Sequence, residues 1–150
     1  MKILVFAATL IAASLLAGPA QAQTTGPSLM KKLLVQIKAQ PLFEVSTAGD
    51  QIVVSDRKTG DKVFSLREVN PQTVTLSGVV GRLGEREDLR QHIAMFNFSS
   101  SVGTLYVNES TGEVTIEHRL NPMQVSVPAM ADAANLFGQV ARTQSQVFHQ

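Results

Sequence analysis

FNFSSSVGTLYVNESTGEVTIEHRL, Phe96 to Leu120, changes its periodicity part-way, and that change decides the fold. It begins as the end of a helix, passes through a serine-rich joint and turns into strict alternation. With Asn108 placed opposite Glu113, the loop is Glu109-Ser110-Thr111-Gly112. Val107 then faces Val114, Leu105 faces Ile116 and Gly103 faces His118, where the glycine leaves room for the imidazole. The other side pairs Tyr106 with Thr115 and Thr104 with Glu117. One face is apolar and the other polar, the pattern of an antiparallel sheet covered on one side only.

Upstream, Glu85 to about Phe98 reads as a helix with Leu89, Ile93 and Phe96 on its inner stripe. Glu85, Glu87 and Asp88 crowd its start, where the helix dipole favours negative charge. Gly78, Gly81 and Gly84 read as a flexible connector that ends a run of four strands beginning at Leu42. Taking Thr47-Ala48-Gly49-Asp50 as the first turn sets Val45 opposite Ile52 and Phe43 opposite Val54. Asp56 to Asp61 turns the chain again; Asp56 facing Lys62 brings Val54 to Phe64 and Ile52 to Leu66. Val69-Asn70-Pro71 then brings Leu66 to Val74 and Phe64 to Leu76. The four strands share one apolar face, which a one-residue slip would destroy. Ahead of them, Ser28 caps a helix through Ala39 with Leu29, Leu33 and Ile37 on one stripe, and Pro41 ends it.

Downstream, Asn121-Pro122 closes the hairpin, and Ser126 with Pro128 starts a last helix. Met130, Ala134, Phe137 and Ala141 line its inner face, and the pattern fades from Gln144 to Gln150. The order α-β-β-β-β-α-β-β-α predicts an α+β two-layer sandwich, an antiparallel sheet with helices on one face.

The ends and the composition bound the setting. Lys2, the apolar run Ile3 to Leu16, and Ala20-Gln21-Ala22 form the three parts of a secretory signal peptide. The run is short of the roughly 20 apolar residues of a spanning helix. Residues 1–22 are expected to be removed, 23–27 to be a polar leader, and 28–150 to form a single domain, periplasmic or secreted, with no stable membrane anchor. There is no cysteine, which excludes disulfides, thiolate metal sites, thiol nucleophiles and a lipoprotein anchor. Loss of Lys2 brings the 13 basic residues level with the 12 acidic ones. With no basic stripe, nucleic acid is not an expected partner.

Phe96-Asn97, Val102-Gly103-Thr104-Leu105-Tyr106-Val107-Asn108-Glu109 and Gly112-Glu113-Val114 together resemble the YbjN-type bacterial domain over roughly Ser28 to Phe148. That family shows an aromatic-Asn at a helix end, then Phe-Gly-x-x-Tyr-Leu-Asp-x-x-Gly through a hairpin into a last helix. This chain departs from it with Val102 for an aromatic, Asn108 for Asp and an added loop residue near Thr111. The resemblance implies a fold like the class I chaperones of type III secretion and a binding role for a protein or peptide segment. It brings no catalytic residues. The family's label, a regulator in sensory transduction, specifies no mechanism.

The residues themselves offer few chemical sites. His92 lies beside the helix stripe, His118 on the inner hairpin face and His149 in the tail, without HxxxH or HExxH spacing. His118 reads as a packed, hydrogen-bonded histidine. The glycine run from Gly78 fits neither GxGxxG nor a P-loop. Ser99-Ser100-Ser101 lacks the GxSxG elbow. The sequons at Asn97 and Asn108 are chance matches in a bacterial chain, and Glu113 and Glu117 are solvated strand positions. No catalytic residue, cofactor or metal is therefore assigned. Against a binding module stand an envelope enzyme using His92 or His118 with a carboxylate, and a homodimer with a structural role. Val53 and Val79, placed opposite the core face, are the expected exposed apolar contacts.

Overall fold

The structure is a computed structural model that describes residues 28–38 and 41–149. The expected signal peptide 1–22, the leader 23–27 and the helix position Ala39 lie outside the described residues. Nine elements follow in the expected order: α1 (Leu29–Lys38), β1 (Phe43–Ala48), β2 (Gln51–Asp56), β3 (Lys62–Asn70), β4 (Thr73–Arg82), α2 (Glu87–Ser99), β5 (Thr104–Val107), β6 (Glu113–Leu120) and α3 (Val127–Phe148). The strands form one antiparallel sheet in the order β1-β2-β3-β4-β6-β5. This is the α+β sandwich that the alternating and helical periods require.

The β5–β6 hairpin has the register read from the sequence, with Leu105 opposite Ile116 and Thr104 opposite Glu117. Two other hairpins are tighter than expected. Ala48 pairs with Gln51 and Val45 with Val54, so the first loop is Gly49-Asp50 alone. Gly49 has φ 62°, the sign a II′ turn needs at its first central residue. Likewise Leu66 meets Leu76 rather than Val74, and Asn70 meets Thr73 around Pro71-Gln72, with a bulge at Val69. Both shifts are of two residues, so the apolar face is unchanged. In the second hairpin Val54–Phe64 and Ile52–Leu66 hold, but a bulge sets Lys62 opposite Ser55 instead of Asp56.

The expected glycine connector is not one. β4 continues through Gly78 and Gly81 to Arg82, and a bulge at Val80 lets it keep pairing with β6. The last helix does not fade either, because its final turns are buried. Phe148 lies against Gly81, where an added Cβ would come within 2.5 Å of the Phe148 Cβ, and Gln144 is buried beneath α2 by its bond to His92.

The core lies between the sheet and α1 with α3. Leu33 and Ile37 of α1, one turn apart, are fully buried, as are Phe43, Phe64 and Phe137. Phe64 meets Phe137 and Phe43 edge-on at 5.2 and 6.3 Å, the favoured geometry for ring quadrupoles. Ser126 accepts a hydrogen bond from the Ala129 amide and starts α3 next to Pro128.

Candidate functional site

A sheet of this kind has two edges, and here they are treated differently. On β1 the hydrogen-bond alternation assigns every main-chain group. The Ala48–Gln51 pair closes the tight turn, so Ala48, Ser46 and Glu44 bond inward to β2. Thr47, Val45 and Phe43 therefore direct their N–H and C=O groups away from the sheet. Two bonds agree with this: the Asp56 amide donates to the Asp61 carbonyl, away from β1, and the Arg57 guanidinium donates to the Phe43 carbonyl at 3.0 Å. Among the described residues nothing engages the outward groups of Val45 and Thr47. Two donors and two acceptors stand ready along one extended segment.

A groove of about 570 Å³ adjoins this edge. α1 supplies Met30, Lys31 and Leu34; the end of β1 and its turn supply Thr47 and Gly49; Ile52 and Glu68 also line it. Its wall is mostly apolar, with Lys31, Asp50 and Glu68 among the charged groups of the lining, as expected for a surface that accepts alternate side chains of an extended chain.

The other edge is covered at Leu105. The Asn97 side chain on α2 accepts from the Leu105 amide at 2.7 Å and donates to the Leu105 carbonyl at 2.9 Å. These are the two bonds a neighbouring strand would make. An Arg90–Glu109 ion pair at 3.9 Å lies near the other end of α2, so the helix runs alongside β5.

The histidines sit apart from both edges. His92 Nε2 donates to the Gln144 Oε1 at 2.7 Å, and its ring approaches Phe148 and Phe96. His118 pairs with Leu76 on β4 and stacks on Phe137 at 6.4 Å. Its burial holds the pKa below the usual 6.5. Packing, rather than the expected hydrogen bond, holds it among the described residues. A Cβ added at Gly103 would first meet the Glu117 carbonyl and the Ile116 side chain. Neither His92 nor His118 lines the groove beside β1 or the depressions along β3, β4 and α3. His149 shares a depression with Glu113 and Arg82 at the end of α3. Among the described residues no group of three His, Cys, Asp or Glu side chains is placed to hold a metal ion, and no helix is long and apolar enough to cross a membrane.

Of the two apolar positions expected on the far face, Val79 is exposed and Val53 is half-buried among its neighbours. A half-covered sheet leaves an outer face or an edge on which a strand could add; the sequence did not single out β1 or the groove beside it. Asn97 stood as part of a family motif and of a chance sequon, without a role.

The geometry has solved counterparts. A chain of the HopA1–SchA chaperone–effector complex is similar in fold with a TM-score of 0.56 and 15% identity, over 79% of this chain and 94% of that one. The Yersinia pestis type III secretion chaperone SycH, solved in complex with a stable fragment of YscM2, gives a TM-score of 0.53 and 16% identity over 78% and 97%. The likeness is one of fold, and the fold is chaperone-like. No family model and no curated protein matches the chain.

Proposed function

We propose that this chain is an exported, YbjN-like, non-catalytic binding module that takes an extended protein segment as an added strand on β1. The observation that carries this reading is the unengaged Val45–Thr47 edge beside the Met30–Leu34 groove. Main-chain pairing supplies affinity without regard to sequence, and the groove selects apolar side chains at alternate positions. The likeness to chaperones solved with an effector or a protein fragment supports the same reading. The Ala20-Gln21-Ala22 pattern supports export to a bacterial envelope or beyond it.

Thr47→Pro tests the proposal cleanly. It removes an outward N–H that β1–β2 pairing does not use, so the fold should survive. Extended peptides selected on the wild-type protein should bind Thr47→Pro about 3- to 10-fold more weakly, the value of one hydrogen bond, and Met30→Asp more weakly still. Equal affinity in a folded Thr47→Pro protein would refute docking at β1.

A second copy is a further partner that one observation favours. α2 presents Phe98 at 95% and Met95 at 64% exposure, large apolar side chains that a homodimer would cover. Phe98→Asp should then halve the mass measured by light scattering; an unchanged mass removes that reading.

A further inference from the structure

We infer that Asn97 is a strand surrogate whose work is to keep β5 closed against the β1 edge of a second copy of this chain. Leu105 and Val107 are the β5 residues whose main-chain groups point away from β6, since Asn108 bonds inward to Glu113. β1 offers the complementary set on Val45 and Thr47 at the same two-residue spacing. Every copy therefore carries one free edge and one edge that Asn97 covers at Leu105. If both were free, β1 of one copy would pair with β5 of the next. That contact is heterologous, so repetition extends into open chains instead of closing into a dimer. Natural sheets cover such edges with helices, loops or charges.

Here the cover is light. α2 buries one residue fully, Leu89, while Ile93 and Phe96 are half-buried. The Arg90–Glu109 pair at 3.9 Å is exposed and is worth little on such a surface. The two Asn97 bonds fill the central position of a strand only four residues long, so they decide whether β5 can accept a partner. Asparagine suits the task because its amide carries a donor and an acceptor side by side, like a peptide group.

The inference shares with the docking proposal only the open β1 edge; the occupant here is a second copy. Purified wild-type protein should show one size at all concentrations. Asn97→Ala should shift to larger, elongated species as concentration rises, and adding Thr47→Pro should restore the wild-type size. Should Asn97→Ala fail to fold, Asn97→Asp reads the same point, because it keeps the acceptor for the Leu105 amide and loses the donor to its carbonyl. Amide exchange at Leu105 that quickens at least tenfold without any change in size would overturn the inference. So would oligomers that persist after Thr47→Pro. Peptide binding by Thr47→Pro alone separates failure of the docking proposal from failure of this one.

Discussion

Leu105 and Thr104 are adjacent in sequence and opposite in environment. Leu105 is buried against Ile116, whereas Thr104 sits on the uncovered face. Leu105→Ala should cost about 2–5 kcal/mol in urea unfolding, the range for emptying a packed leucine site. Thr104→Ala should cost about 0.5 kcal/mol or less; equal losses would refute the register. Asp56 is a second residue with a defined task. Its carboxylate accepts from the Lys58 and Thr59 amides and lies 3.2 Å from Arg142 on α3. The Lys58 amide bond, opposed by desolvation and helped by Thr59 and Arg142, holds its pKa below 3.8. A lowered folded pKa means stability present above 3.8 and lost as pH falls through the folded value. Asp56→Asn should therefore flatten the acid limb of a stability–pH profile. His118 gives the same sign in another window. Desolvation lowers its pKa below 6.5, so its contribution is present above 6.5 and declines as pH falls further. His118→Gln should remove that decline from the profile and leave peptide binding intact.

At the scale of elements, Gly138 sets two opposing effects against each other. Alanine in a helix is favoured over glycine by about 1 kcal/mol. An added Cβ would, however, come within 2.7 Å of Phe43 Cζ and 2.8 Å of Phe64 Cε1. Overpacking of that kind costs about 1–3 kcal/mol, and the two rings are fully buried, so Gly138→Ala should lower the melting temperature in calorimetry. The nine elements were legible because alternation and helical spacing report burial, and burial is what the sequence pattern encodes. The β1–β2 and β3–β4 registers were not, because a shift of two residues leaves the pattern unchanged. In the first hairpin only the left-handed turn at Gly49 distinguishes the two registers. The continuation of β4 through Gly78 and Gly81 was hidden for a related reason. Glycine signals a break in isolation, but here Phe148, far along the chain, needs the space at Gly81, and the Val63 carbonyl and Phe64 need it at Gly78. The edge chemistry was invisible because hydrogen-bond direction belongs to the backbone, whatever the side chains are. Asn97 reaches Leu105 eight positions along the chain, a spacing that no secondary-structure period marks.

For the whole molecule, the first expectation concerns its beginning. If residues 1–22 are removed on export, the intact mass of protein from the envelope fraction should match a chain starting at Gln23. A membrane-held chain starting at Met1 would sink the export proposal. The strand order carries a consequence of another kind. β1 to β4 form three successive hairpins, and two of their loops have only two residues, so their pairing is local and its closure entropy small. The join of β4 to β6 is different, since all of α2 and β5 lies between them. Non-local pairing of this sort sets the pace of folding. Refolding kinetics should therefore divide the sheet: trimming Ile116, at the β4–β6 seam, should slow folding, while trimming Val45 should mainly hasten unfolding. The binding edge would then be the part that settles after the commitment step and loosens first, and the Asn97-covered hairpin the part whose arrival commits the chain.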